Sequence, residues 1–233
     1  MANSSSITYR LKRKILTFTN KISRTASAPD RKFIADIVYG ILASKSCLLT
    51  DIVDQLHEPA QKIHSVDRLS RHLKKGIPAS VSISYLQTVK KMIPSAPVVL
   101  IDESDVVKPE GKQFESLGIV RDGSESTRTK NVYKKGYHVT EACALTATKH
   151  PVSIFSRIHS SAEKDYKSVN TITFDAIRQA AALFGKATFV MDRGYDDNKI
   201  FLMLDRLKQD YVIRLKSNRK LLYHRKWTMA TEL

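Results

Sequence analysis

The chain has 233 residues, 42% of them hydrophobic and 27% charged, so it is long enough to bury a core and has the composition of an ordinary globular protein. No apolar run reaches the length of a membrane span, and the start, Met1 to Ser6, lacks the apolar centre of a signal peptide, which leads to the expectation of a cytosolic protein with no membrane part. Lys and Arg number 39 against 23 Asp and Glu, a net charge of +16 that predicts attraction to a polyanion, nucleic acid ahead of a membrane surface, while serving solubility equally well.

The first thirty residues are polar and basic, with Arg10, Lys12, Arg13, Lys14, Lys21 and Arg24, and they close on a Ser- and Ala-rich stretch, Ser23 to Pro29. Composition reads residues 1–29 as a basic arm, flexible or loosely helical, or as a solvated tail. From Asp30 the apolar residues Phe33, Ile34, Ile37, Val38 and Ile41 recur at steps of three and four, the period of an amphipathic helix. A second short helix is predicted from Thr50 with Ile52, Val53 and Leu56 inward, ending near Pro59. A third runs from an N-cap at Ser65 through Val66, Leu69 and Leu73 to a C-cap at Gly76. Its remaining faces carry Arg68, Arg71, His72, Lys74 and Lys75. Three short helices closed by a basic one suit a helix-turn-helix DNA reader, and equally a plain helical bundle with a solvated basic face. A further helix, Ser82 to Met92, leads to Pro94 and Pro97, so residues 30–94 read as a small all-α domain and 95–233 as a second one.

After Pro97 the period changes. Val98 to Ile101 is a continuous apolar run of the kind found in a strand buried on both faces, with Asp102 at its end. A polar stretch from Lys108 to Lys130 reads as loop with one short strand near Leu117 to Val120. Tyr137 to Thr148 and Val152 to His159 read as antiparallel strands joined by a turn at Lys149-His150-Pro151. An amphipathic helix, Asn170 to Phe184, stops at Gly185. Thr188 to Met191 is the next buried strand, again followed by an aspartate, Asp192. A helix carrying Ile200, Leu204 and Leu207 and a strand from Tyr211 to Leu215 complete an α/β order of elements. The two cysteines, Cys47 and Cys143, have no partner at metal-binding spacing and are expected reduced and buried.

Two apolar strands that each end in Asp form the strongest constellation. If those strands are neighbours, Asp102 and Asp192 converge, and two carboxylates side by side call for a cation between them. Mg²⁺ or Mn²⁺, hard ions that take oxygen ligands, fill that role, and a pair of them can drive phosphodiester cleavage. Taken singly, each Asp also suits a simple cap on the loop after its strand.

Leu100-Ile101-Asp102-Glu103-Ser104, the strand order, and above all Val190-Met191-Asp192-Arg193-Gly194-Tyr195 resemble the DDE transposases of the IS4 type over about Pro97 to Arg219. The resemblance implies an RNase H-like mixed sheet flanked by helices, with Asp102 and Asp192 as the first two catalytic and metal-binding acids and a two-metal site. It implies double-stranded DNA as partner, at transposon ends and target, a homodimer in the synaptic complex, and a nucleoid-associated place in the bacterial cytoplasm. The family's third acid is a glutamate in a later Tyr-Arg-Glu-Lys type motif beyond a β-rich insertion, so the core is expected to be incomplete at Leu233. Glu232, 40 positions after Asp192, matches the spacing of another subgroup but reads better as a terminal surface residue.

Candidate DNA contacts are Arg68, Arg71, Lys74 and Lys75 on the basic helix, Arg128, Lys130, Lys134 and Lys135 in the loop and strand after it, and Arg193, Arg214 and Lys216 near the acids. Each of these also suits plain solvated charge. His138 and His159, with no partner carboxylate evident in sequence, read as ordinary strand histidines. The activity expected is metal-dependent strand cleavage and transfer of an insertion sequence. The alternatives are a catalytically inactive DNA-binding remnant and an RNase H-like nuclease without a helical reader.

Overall fold

The computed structural model describes residues 4–127 and 129–233, with side chains from residue 9 onward, and divides the chain into two compact units, Met1–Val89 and Lys90–Leu233. Among the described residues no single helix is long and apolar enough to cross a membrane.

The first unit is helical: α1 (Ser4–Ile22), α2 (Ala28–Ser44), α3 (Leu49–Leu56), α4 (Lys62–Lys75) and α5 (Ala79–Lys90). The basic stretch that composition reads as an arm is thus a helix. Its Ile15, Thr19 and Ile22, at helical spacing, are buried. Ile22 joins Phe33, Ile34, Ile52, Val53, Leu69 and Val81 in one apolar core, so all five helices contribute to it. α2 begins where Ser27 takes an extended conformation and its hydroxyl accepts from the Asp30 N–H at 3.3 Å. α4 begins four residues earlier than the Ser65 cap predicted. Gln61 takes the N-cap position, while Ser65 is buried and donates its hydroxyl to Glu58 Oε2 at 2.7 Å. Gly76 does end the helix, at φ 82°, a left-handed value that costs glycine little.

The second unit is built on a mixed sheet. Its strands are β1 (Val98–Val107), β2 (Gly118–Arg121), β3 (Tyr133–Leu145), β4 (Pro151–His159), β5 (Thr188–Met191) and β6 (Asp210–Ile213), with helices α6 (Val169–Phe184) and α7 (Asn198–Arg206). The order is β2-β3-β1-β5-β6, with β4 also paired to β3. β3 runs antiparallel to β1 and β4, whereas β1, β5 and β6 are parallel. A small hairpin, β7 (Lys220–Tyr223) and β8 (Lys226–Met229), follows.

One face of the sheet is closed. Val99 and Ile101 of β1, Ala142 and Ala144 of β3 and Phe189 and Met191 of β5 lie there in register. Ile172, Ala176, Ile177 and Ala180 of α6 and Ile200 and Leu204 of α7 are buried with them. The apposed alanines of β3 and α6 shorten the distance between helix and sheet. The opposite face departs from the expectation of strands buried on both sides. Val98, Leu100 and Val190 are only half-buried, and Val212 is 61% exposed. The reason is that α6 and α7 touch each other and cover the same side. The cysteines depart as well: both are free, Cys47 is exposed and Cys143 half-buried, since Cys143 faces the open side with Leu100.

The helical unit contains one tight approach. A methyl group at Gly40 of α2 would collide with Cγ2 of the fully buried Ile52 on α3 and stand 3.3 Å from its Cα. Helix propensity alone favours Ala over Gly by about 1 kcal/mol, but overpacking a rigid contact costs about 1–3 kcal/mol. Gly40→Ala is therefore expected to lower the unfolding free energy in urea melts. A stabilised variant would show that the two helices can move apart without penalty.

Candidate active site

Asp102 does not end its strand. β1 continues to Val107 against β3, with Asp102 opposite Glu141, and what ends at this level is the parallel pairing with β5. The last parallel pair is Ile101 with Met191, so Asp102 and Asp192 are the next position on each of two adjacent chains. Neighbouring strands are spaced about 4.8 Å apart, which makes the two carboxylates immediate neighbours. By strand alternation Asp102 shares the open face with Leu100, away from the closed core.

Both aspartates are exposed, and each commits one oxygen to its own backbone. Asp102 Oδ1 accepts from the Glu103 N–H at 2.9 Å, and Asp192 Oδ1 accepts from the Gly194 N–H at 2.7 Å. The second bond caps a single 3-10 turn, Arg193–Tyr195, so the capping role foreseen for a lone Asp is present as well. Among the described residues the Oδ2 atom of each has no hydrogen-bond partner. A Cβ at position 194 would come within 2.9 Å of Asp192 Oδ1, so any larger residue there crowds the carboxylate.

Tyr195, the last residue of that turn, is packed inward. It is 6% exposed, and its hydroxyl has no hydrogen-bond partner among the described residues. Burial raises its pKa far above the phenol value, and Glu103, Asp102 and Asp192 raise it further, which sets this hydroxyl within the field of three carboxylates. Glu103 is held protonated more readily than usual by burial, opposed by His138 and reinforced by Asp105 and Asp102.

Sequence reasoning missed the groups around Glu103. His138 Nδ1 lies 2.9 Å from Asp105 and 3.4 Å from Glu103, and buried His159 lies 2.8 Å from the Thr140 hydroxyl and 3.7 Å from Glu103. Each histidine therefore has a carboxylate within 4 Å, although His138 Nδ1 and Glu103 Oε1 make no hydrogen bond among the described residues. They went unseen because the strand was ended at Asp102, whereas the longer β1 sets Asp105 opposite His138 in register. A second omission is Asp196. It is buried, its Oδ2 accepts from the Lys216 N–H at 2.8 Å, and its Oδ1 lies 3.4 Å from Arg219 Nε. It ties the segment after β6 to the loop after β5. The acidic run Asp196-Asp197 just after Tyr195 was the available signal.

That tie shapes a cavity of about 600 Å³ lined by Asp196, Asn198, Lys216, Arg219, Lys220 and Trp227. Lys216 Nζ reaches the Asp196 carbonyl at 3.3 Å, and Arg219 stacks 5.1 Å over the Phe201 ring. Arg193 and Arg214 are exposed with no ion-pair partner among the described residues.

The other basic candidates divide by what they touch. Arg68 bonds Asp36 at 2.8 Å and Glu58 at 3.0 Å, and Lys75 bonds Asp30 at 2.8 Å, so both are engaged inside the helical unit. Arg71 and Lys74 are exposed without an ion pair among the described residues. Lys134 is bound to Asp122 at 3.0 Å and to Glu125, and Asp122, pulled down to about 2 by Ser124 and then Lys134, anchors the turn before β3. Lys130 and Lys135 are exposed, and Arg128 lies outside the described residues. Glu232 is exposed and accepts from the Met229 N–H at 3.3 Å, closing a terminal turn.

Two carboxylates at the next position on each of two adjacent chains, beside a short capped turn, make up the candidate site. Residues 93–231 match the model of the transposase DDE domain, and the chain belongs to that family. No curated protein matches the chain.

Glu58 gives a pH-dependent test of the Arg68 network. Burial works against its ionisation, but hydrogen bonds from Lys32, Ser65 and Arg68 outweigh that and bring its pKa down to about 2 from 4.5. Because the folded pKa is depressed, its contribution is fully present above about pH 4.5 and is lost as pH falls toward 2. The wild type is expected to exceed Glu58→Gln in unfolding free energy by about 2–3 kcal/mol at pH 7, with the gap narrowing between pH 4.5 and 2. A pH-independent gap in urea melts would contradict the network.

Proposed function

We propose that this chain carries the first two acids of an IS4-type DDE transposase with an RNase H-like core, and that it takes part in metal-dependent cleavage and strand transfer at the ends of an insertion sequence. The observation that carries the reading is the register of β1 and β5, which makes Asp102 and Asp192 neighbours on an open sheet face. The family match to the transposase DDE domain supplies DNA as the substrate class. The strand order β4-β3-β1-β5-β6, antiparallel at β3 and parallel from β1 to β6, supports the RNase H-like assignment.

The donor set fits Mg²⁺ or Mn²⁺. Two exposed carboxylates each keep an oxygen outside any hydrogen bond among the described residues, and hard divalent ions prefer such oxygens. Among the described residues no group of three or more His, Cys, Asp or Glu is arranged to hold a metal ion, so the reading rests on these two acids alone. When bound, divalent ions would lower the pKa of an attacking water and stabilise the leaving 3′ oxygen.

The protein's own residues prepare that place. The backbone N–H groups of Glu103 and Gly194 orient the two carboxylates. The lack of a side chain at Gly194 keeps the approach to Asp192 clear. Arg193, beside Asp192 and unpaired among the described residues, and Lys216 and Arg214, in the segment after β6, are assigned to scissile-strand phosphates. Lys130, Lys135, Arg71 and Lys74 are assigned to flanking DNA, because their charges are not spent within the protein. The complete synaptic assembly is assigned to a homodimer.

The test is cleavage of a supercoiled plasmid bearing candidate element ends, with Mg²⁺ and with EDTA, in the longest protein that the native reading frame encodes. Asp192→Asn and Asp102→Asn are each expected to abolish nicking, by at least about a hundredfold, without loss of DNA binding. An Asp192→Asn protein that nicks at the wild-type rate would overturn the proposal.

A further inference from the structure

The basic helix that sequence pattern singles out, α4, is not the strongest free positive surface of the helical unit. Two of its four candidate cations are neutralised internally, Arg68 by Asp36 and Glu58 and Lys75 by Asp30. α1 is different. Arg10, Arg13, Lys14, Thr17 and Lys21 recur at steps of three, one, three and four, which at 100° per residue sets them on one side of the helix. Ile15, Thr19 and Ile22, the buried residues, fall on the opposite side. The stripe is therefore the outer face of a helix fixed to the core by its inner one.

Every cation of that stripe is exposed, and none forms an ion pair among the described residues. Sequence explains why: the chain contains no Asp or Glu before Asp30. Lys12, on the flank, is held differently, 4.7 Å over the Tyr39 ring. Arg10, Arg13, Lys14 and Thr17 line a shallow groove of about 350 Å³, and the Thr17 hydroxyl bonds back to the Arg13 carbonyl. From Arg10 to Lys21 the stripe is about 16 Å long at 1.5 Å per residue, enough to meet several phosphates of one duplex.

We infer that the outer face of α1, through Arg10, Arg13, Lys14 and Lys21, is the principal phosphate-backbone contact of the helical unit with duplex DNA. The proposal rests on the DNA-binding reading above and adds to it which surface supplies the affinity. Regular spacing, freedom from internal carboxylates and anchorage to a rigid core suit sequence-independent backbone contact, which fixes register without reading bases.

The experiment is fluorescence anisotropy of the full chain with a labelled 30-base-pair duplex across 50–300 mM salt. The triple variant R10Q/R13Q/K14Q is compared with R71Q/K74Q and with the charge-preserving R10K/R13K. Each lost phosphate contact removes about 0.9 from the slope of log affinity against log salt. The α1 triple variant is expected to lose between two and three units of slope and roughly tenfold or more in affinity, while R10K/R13K keeps the wild-type slope. An α1 triple variant with unchanged slope, beside a weakened R71Q/K74Q, would overturn this inference and leave DNA binding standing. A wild-type chain that does not bind the duplex at 50 mM salt would overturn both.

Discussion

The parallel pairing of β1 with β5 is the constraint on which the candidate site depends. It ends at Ile101 and Met191, and the next residue on each chain is an aspartate. Like charges on neighbouring strands tend to repel, and both carboxylates sit on the exposed side of the sheet, where water screens them. The sheet tolerates this because its closed face is firmly built: Val99, Ile101, Phe189 and Met191 are all buried against α6 and α7. Apolar burial on one side thus holds the two aspartate positions in register on the other.

The loop after β5 is the second requirement, and consecutive acids perform separate tasks within it. Asp192 caps the turn through Gly194, Asp196 receives the Lys216 backbone and faces Arg219, and Asp197 starts α7 by accepting from the Lys199 N–H at 2.7 Å. Of these three acids only Asp192 is exposed. Tyr195, between them, is buried, and its hydroxyl lies within the electrostatic influence of Glu103, Asp102 and Asp192. Behind β1, the Glu103 cluster with His138 and His159 forms a polar underside to the same strand.

Much of this was legible in the sequence because it rests on local periodicity. The strand Thr188–Met191 and the stop of α6 at Gly185 follow from a short apolar run and a glycine with positive φ. What could not be read rests on pairing across long separations. Whether Asp102 ended its strand depended on β3, whose Tyr137 and His138 hold Val106 and Asp105 in the sheet. An acidic segment, Asp102 to Asp105, does not look like a strand until its histidine partners are known. The burial of both faces of Val98–Ile101 was overread for a related reason: β-branched runs suit a half-covered strand as well. Arg68 and Lys75 show the same limit for charge. Composition identifies a basic helix, but only the fold reveals that Asp36, Glu58 and Asp30 already occupy those side chains.

On the proposed reading, adjacent strands make Asp102 and Asp192 a single cation site. Electron paramagnetic resonance of Mn²⁺ titrated into the wild type, Asp102→Asn and Asp192→Asn measures this without requiring turnover. A bound Mn²⁺ signal is expected in the wild type, and either single substitution is expected to remove it. Equal Mn²⁺ binding in all three proteins, or loss with only one of the two, would contradict a shared site.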